Sequence, residues 1–239
     1  MGRAYEVRKA SIQKTGAARG KIYSTYAKEI YQAAKNGGTE TASNSALKRL
    51  IERAKKEQVP ADIIKRAIDK VNSGVDESYI KNNYEMFGPA GSTLIVECLT
   101  DNVNRSVSDL RAVVNKCHIK MGNVGSVSYN YDNLCIVSFK GLSLDQTLEA
   151  LIEYDVEAID IEEEDGAVVI YGDPANLFKI KEAIVNVLPN VEFDMDEITT
   201  LAKEKVELTG EDLELFKKVL SMLDDVEDVS QVYHNVSNV

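Results

Sequence analysis

Between residues 134 and 195 the apolar spacing changes in an order that few folds can satisfy. Residues 134–139 (Leu-Cys-Ile-Val-Ser-Phe) read as a buried strand and 144–154 as a helix. Two strands follow over 156–162 and 168–171, then a helix over 174–187 and a strand over 191–195. Asp165-Gly166 joins the middle two strands, and this dipeptide signals a tight hairpin because both residues tolerate positive φ. Strand, helix, strand, strand, helix, strand is the order of a ferredoxin-like βαββαβ unit.

That unit interrupts a second pattern. Upstream lies a strand over 94–99, which follows the turn Gly88-Pro89-Ala90-Gly91. A helix from Asn104 comes next, with Val107, Leu110, Val114 and Cys117 at steps of three, four and three. The alternation of Val127, Tyr129 and Tyr131 then predicts a strand over 125–131. Downstream, a strand near 198–206 precedes a helix over 210–223 and a strand over 229–233. Thr209, Glu211 and Asp212 suit the positive end of that helix. One α+β domain interrupted by another is therefore expected.

The N-terminal part is helical and basic. Residues 1–20 hold Arg3, Arg8, Lys9, Lys14 and Arg19 against the single acid Glu6, with too few apolar residues for an amphipathic helix, and read as a loosely ordered arm. Three helices follow. Ile22, Tyr26, Ile30 and Ala33 mark one buried stripe, and Asn36-Gly37-Gly38 ends it. Leu47, Leu50, Ile51 and Ala54 mark a second over about 44–57, whose outer face carries Lys48, Arg49, Arg53, Lys55 and Lys56. Pro60 opens a third with Ile63, Ala67, Ile68 and Val71. The expected organisation is a multidomain α+β chain. Residues 1–75 form a basic N-terminal helical domain. Residues 76–132 with 197–239 form a discontinuous α+β middle domain. Residues 133–196 form the inserted ferredoxin-like domain.

Charge follows the same division. Residues 1–75 carry 16 Lys/Arg against 7 Asp/Glu, a balance of +9, whereas 76–239 carry 12 against 32, a balance of −20. The net charge of −11 thus conceals a basic module on an acidic body. Clustered positive charge is the footprint of a surface that meets phosphate. The three cysteines, Cys98, Cys117 and Cys135, fit no zinc spacing and read as reduced, half-buried residues of a cytoplasmic protein. The start lacks the apolar core of a signal peptide, and no apolar stretch approaches the ~18 residues that span a bilayer, so no membrane partner is expected.

Several stretches together resemble the YebC/PmpR family of small bacterial gene-expression regulators, whose mitochondrial relative activates cytochrome c oxidase translation. They are Met1-Gly2-Arg3, then Arg19-Gly20-Lys21-Ile22-Tyr23 leading into Glu29-Ile30, and Tyr84-Glu85-Met86-Phe87-Gly88-Pro89-Ala90-Gly91. Further on come Thr100-Asp101-Asn102-Val103-Asn104-Arg105, Gly122-Asn123-Val124-Gly125-Ser126-Val127 and Val232-Tyr233-His234-Asn235-Val236. The arm and the ending look most like the YeeN branch. The resemblance implies a helical bundle, a middle α+β domain and a ferredoxin-like domain inserted into it. One departure is at Tyr5-Glu6-Val7, where the family usually has a Trp in a more basic arm.

The candidate nucleic-acid contacts are Arg3, Arg8, Lys9, Lys14, Arg19, Lys21, Lys48, Arg49, Lys55 and Lys56. Such cations position a nucleic acid without reading its sequence. Arg105 is a candidate docking residue, while Asp or Asn before it suits a helix N-cap. Residues 122–126 lack the Gly-Lys-Ser/Thr ending of a phosphate loop and read as a tight turn. The acidic run 160–165 reads as a solvated strand end and hairpin. The run 224–228 reads as a charged helix exit, or else as an acidic lip for a basic protein partner. His118 and His234 lie in no catalytic or metal-ligand pattern, so neither an enzyme, a cofactor nor a metal is expected. The function these features support is a DNA-binding transcriptional regulatory protein. The alternative is a ribosome-associated translation factor that binds ribosomal RNA, and the remote one is an enzyme with the ferredoxin-like domain as its small-molecule site, which a closed cleft around His234 or Arg105 holding a metabolite would support.

Overall fold

The computed structural model describes residues 18–74 and 77–239, which contain seven α-helices and two four-stranded antiparallel sheets. The expected arm, with Arg3, Arg8, Lys9 and Lys14, lies outside the described residues. The described chain falls into two compact units, one of residues 128–205 and one of the preceding residues with 206–239.

The larger unit begins with three helices, α1 (Ala18–Gly37), α2 (Ser45–Lys56) and α3 (Ala61–Asn72). Their stripes meet as expected, with Tyr26, Ile30, Leu47, Ala54, Ile64 and Ala67 buried at the centre. Asn44 fixes the α1–α2 turn. Its carboxamide oxygen accepts from Leu47 N (3.0 Å) while its nitrogen donates to Ala33 O (2.9 Å) and Gly38 O (2.8 Å). A Cβ on Gly37 would lie 2.6 Å from that side chain, which is why glycine stands there.

Strands β1 (Ile80–Phe87), β2 (Thr93–Thr100), β3 (Lys120–Met121) and β8 (Val229–His234) form a sheet in the order β3-β1-β2-β8. Helices α4 (Val103–Cys117) and α7 (Gly210–Asp224) cover one face. Met86, Leu94, Val96 and Cys98 from the strands pack there against Leu110, Val113, Phe216 and Val219. The segment entering β1 is clamped to the helices. Glu77 N donates to the Tyr31 hydroxyl (3.0 Å), Lys70 Nζ lies 2.6 Å from Glu77 Oε2, and Lys35 Nζ donates to Glu77 O (2.8 Å).

The smaller unit runs β4 (Tyr131–Phe139), α5 (Leu144–Glu153), β5 (Asp160–Glu164), β6 (Ala167–Gly172), α6 (Leu177–Val187) and β7 (Phe193–Ala202). Its sheet order is β5-β6-β4-β7. The central strands are buried on both faces. Cys135, Val137, Phe139, Val168 and Ile170 point to α5 and α6, and Leu134, Ile136, Val169 and Tyr171 to the opposite side. Continuous apolar runs are what two-sided burial requires.

Three expected strands are corrected. Residues 125–130 are not extended: they form turns and a 3-10 turn (Ser128–Asn130), and only Tyr131 enters β4. Gly125 sits at φ +88, and the backbone N–H groups of Gly125 and Val127 are taken by a carboxylate, leaving no ladder to join. The strands expected over 191–195 and 198–206 are a single strand, β7, which pairs with β4 from Tyr131↔Ala202 to Phe139↔Phe193 with a register shift at its end. The expected domain boundary at 196/197 falls inside it.

Asp165 (φ 52) and Gly166 (φ 72) both adopt the left-handed conformation the hairpin needs. Gly166→Ala, although it meets no neighbouring atom within 4 Å, is expected to cost about 1 kcal/mol through φ alone. Chemical-denaturation midpoints of the two proteins measure this, and an unchanged midpoint would mean the turn is not strained.

Candidate nucleic-acid interface

Helix α2 turns its cations away from its core face. At 100° per residue, Lys48, Arg49, Lys55 and Lys56 fall within an arc of about 120°, opposite Leu47, Leu50 and Ala54. Lys48, Lys55 and Lys56 are exposed and Arg49 is half-buried. Glu52 is the acid on that face. Arg19, in the first turn of α1, is exposed as well.

Lys21 is placed differently from the rest. Its ammonium lies at the C-terminal end of α7, bonded to Leu223 O (3.4 Å), to Asp224 O and to Asp224 Oδ1 (3.4 Å). A cation there meets the last carbonyls and the negative end of the helix. Lys28, about two turns further along the same face of α1, lies 3.5 Å from Asp228 Oδ1 and 3.9 Å from Glu227 Oε1. The acidic run 224–228 is thus met from within the chain, by α1.

Arg105 also turns to that run. Its guanidinium grips Asp228 with two bonds, Nε to Oδ2 (3.0 Å) and a terminal nitrogen to Oδ1 (2.7 Å), and reaches Asp101 at 2.8 Å. Thr100 Oγ1 (3.0 Å) and Ser106 Oγ (2.9 Å) also donate to Asp228 Oδ2. Asn102 caps α4 by accepting from Arg105 N (3.1 Å), as the sequence suggests. Burial pushes the Asp228 carboxyl up, but the donors Arg105, Ser106 and Thr100 and the guanidinium charge outweigh it and hold the group below its ordinary range.

Two further polar side chains, unmarked in the sequence reading, hold the turns at the β3 end of this sheet. Glu85 is buried. Its carboxylate accepts from Gly125 N (2.7 Å), Val127 N and Ser126 Oγ (3.4 Å), and its carbonyl accepts from Gly122 N (2.7 Å). Asn235 accepts from Thr93 N (2.8 Å) and donates to Gly91 O (3.3 Å), which pins the turn at residues 88–91. His234 stacks edge-on to Phe216, ring centroids 5.3 Å apart. Signals for Glu85 and Asn235 existed only as members of two quoted stretches, because their partners lie 40 to 144 residues away.

The quoted stretches therefore bond to one another: residues 84–91 to 122–127 through Glu85, and 232–236 to 88–93 through Asn235. Residues 3–74 match the family model described as TACO1/YebC protein N-terminal domain, and 79–236 match TACO1/YebC second and third domain. The chain belongs to the TACO1/YebC family. It is 46% identical over 235 residues to a protein of Vibrio parahaemolyticus named a probable transcriptional regulatory protein, covering 98% of this chain and 99% of that one. A protein of Marinobacter nauticus with the same name is 45% identical, covering 98% of each. A crystal structure of a conserved hypothetical protein, Aq1575 from Aquifex aeolicus, superimposes with a TM-score of 0.74 at 31% identity, over 94% of this chain and 92% of that one.

Because the folded Asp228 carboxyl loses its proton at lower pH than an unfolded one, its contribution to stability is complete well above the ordinary aspartate value of 3.8. It is lost as pH falls through that value toward the folded pKa. Arg105→Ala is expected to destabilise the larger unit by on the order of 2 kcal/mol at pH 7, since it removes two charged hydrogen bonds from a buried carboxylate and leaves it only Lys28, Thr100 and Ser106. Urea unfolding at neutral and acid pH measures both, and the gap between wild type and variant should shrink on acidification. Glu85→Ala should leave the sheet intact but expose the amides of Gly125 and Val127, seen as a loss of hydrogen-exchange protection confined to residues 122–127. Equal protection in both proteins would show that the carboxylate does not hold the loop.

Proposed function

We propose that the chain is a DNA-binding regulator of transcription, acting in the cytoplasm, and not an enzyme. The observation that carries this reading is the outward cation face of α2, set opposite the helix's core face in a molecule of net charge −11. Lys48, Arg49, Lys55 and Lys56 present charge on one outward arc of α2, and the proposed contacts also include Arg19 and, outside the described residues, Arg3, Arg8, Lys9 and Lys14. The name carried by the Vibrio and Marinobacter relatives supports regulation of transcription. Lys21 and Arg105 serve instead to position α1 and α4 against the acidic exit of α7.

In this reading residues 1–75 are the nucleic-acid-binding domain. The unit of β4 to β7 is a ferredoxin-like domain inserted into the middle α+β domain, supported by its element order and by a sheet whose first and third strands are central. The acidic surface of the body offers a place for a basic protein partner and disfavours non-specific contact with nucleic acid.

Replacing Lys48, Lys55 and Lys56 together by Gln should leave folding within about 0.5 kcal/mol per site of wild type. Affinity for duplex DNA should fall, and the slope of log K against log salt should flatten by about 0.9 per lost phosphate contact. Reversing the charge of Glu162, Glu163 and Glu164 should not weaken binding. Filter binding across a promoter panel at several salt concentrations makes the measurement. Unchanged affinity in the lysine variant would remove α2 from the interface, and equal affinity for every duplex would leave no specificity for regulation.

A further inference from the structure

Acidic residues are spread through the chain with two conspicuous gaps. Residues 7–28 and 110–131 are each 22 residues without an Asp or Glu, longer than any other such stretch. The first runs through the arm into α1. The second lies inside the acidic body, and carries Arg111, Lys116, His118 and Lys120. It folds as the end of α4, a left-handed turn at His118 (φ 52), the short strand β3 and the loop held by Glu85.

This stretch forms one wall of a cleft of about 550 Å³, in the size range of small-ligand sites. His118 and Lys120 line it together with Phe87, Pro89 and Leu215 of α7. Phe87 is 39% exposed and is the cross-strand partner of Lys120. An aromatic ring and an ammonium are therefore presented side by side at the rim.

The walls are fixed before any ligand arrives. Ser92 N (2.9 Å) and Ser92 Oγ (2.6 Å) both donate to Pro89 O, and Gly88 N donates to Ser92 O (2.8 Å). Asn235 holds Gly91 from the other side. Ala90 is kept at φ 48, a conformation that L residues rarely adopt and that persists where surrounding structure over-determines it. Next to Phe87, a Cβ on Gly122 would run into Ser126 Oγ and lie 3.0 Å from the Phe87 ring, so glycine lets the 122–127 loop seat against that side chain. At the loop tip Val124 is 96% exposed although the backbone around it is caged by Glu85.

We propose that this cleft is a second nucleic-acid contact, a seat for a single unpaired nucleotide whose base lies on Phe87 and Pro89 and whose phosphate is met by Lys120. The inference rests on the nucleic-acid reading above and adds a site to it. An aromatic face accepts any base, and a neighbouring cation accepts the phosphate that every nucleotide carries. One nucleotide thus satisfies both features of the rim. One unpaired nucleotide, rather than a duplex, needs only the one aromatic side chain and the one cation that the cleft offers. Pre-formed walls lower the ordering cost of capturing a mobile strand.

The test uses the full chain with labelled oligothymidylate, oligouridylate and a blunt DNA duplex, followed by fluorescence anisotropy. Phe87→Leu keeps apolar bulk over Gly122 and removes the aromatic face. Lys120→Gln changes only an exposed side chain. Single-strand affinity is expected to fall about tenfold in Phe87→Leu, with blunt-duplex affinity unchanged. Lys120→Gln should flatten the single-strand salt slope by about 0.7. Photocrosslinking with 5-iodouracil in the same single strands should label peptides containing Phe87 or His118, and the strand that labels tells DNA from RNA. Unchanged single-strand binding in both variants, or crosslinks confined to residues 18–74, overturns the proposal while leaving the α2 interface standing. If the wild-type chain binds neither duplex nor single strand, the nucleic-acid reading itself falls and this site falls with it.

Discussion

The Asp228 carboxylate is the interaction on which the larger unit turns. A buried carboxylate costs several kcal/mol to desolvate, so it persists ionised only where donors converge on it. Here the donors come from α1, from the end of β2 and from the first turn of α4, while the Asp228 carbonyl accepts from Leu99 N at 2.9 Å. Three segments distant in sequence, α1, residues 99–106 and the exit of α7, must be in place before the charge is satisfied. The network therefore acts as a registry device: misplacing α1 or α4 leaves an uncompensated charge in the interior.

That arrangement also sorts the cations of the helical module into two groups. Lys21 and Lys28 are spent internally on the acidic exit of α7, and their half-buried ammonium groups fix how α1 lies on the body. The cations of α2 face the other way and remain at the surface. The local balance of +9 over residues 1–75 thus overstates what is available to a partner, because part of it neutralises acids of the same chain.

Periodicity made the helices legible, since each of α1 to α3 buries the stripe that its spacing marks, and Asp165-Gly166 made the β5–β6 hairpin legible through its backbone preference. The segment 125–131 misled because alternation reports burial and not extension. Val127 and Tyr131 are indeed buried and Tyr129 is 74% exposed, but a carboxylate 40 residues upstream had claimed the N–H groups a strand would use. Residues 191–206 misled for the opposite reason: turn-like polar residues interrupt a strand whose continuity is set by its partner β4. The site was partly legible. Cations on one helix face can be read from spacing alone, whereas the diversion of Lys21 and Arg105 to residues about 120 to 200 positions away cannot.

An acidic body is more than a diluent for the basic module. Its field reaches about 8 Å at physiological salt, so it opposes nucleic acid lying on the acidic surface itself. Non-specific coating is thereby suppressed. The acid-free stretch 110–131 supplies His118 and Lys120 to the cleft, while Glu85 and Asn235 hold the turns at residues 122–127 and 88–91. Both side chains are buried hydrogen-bonding groups serving exposed turns.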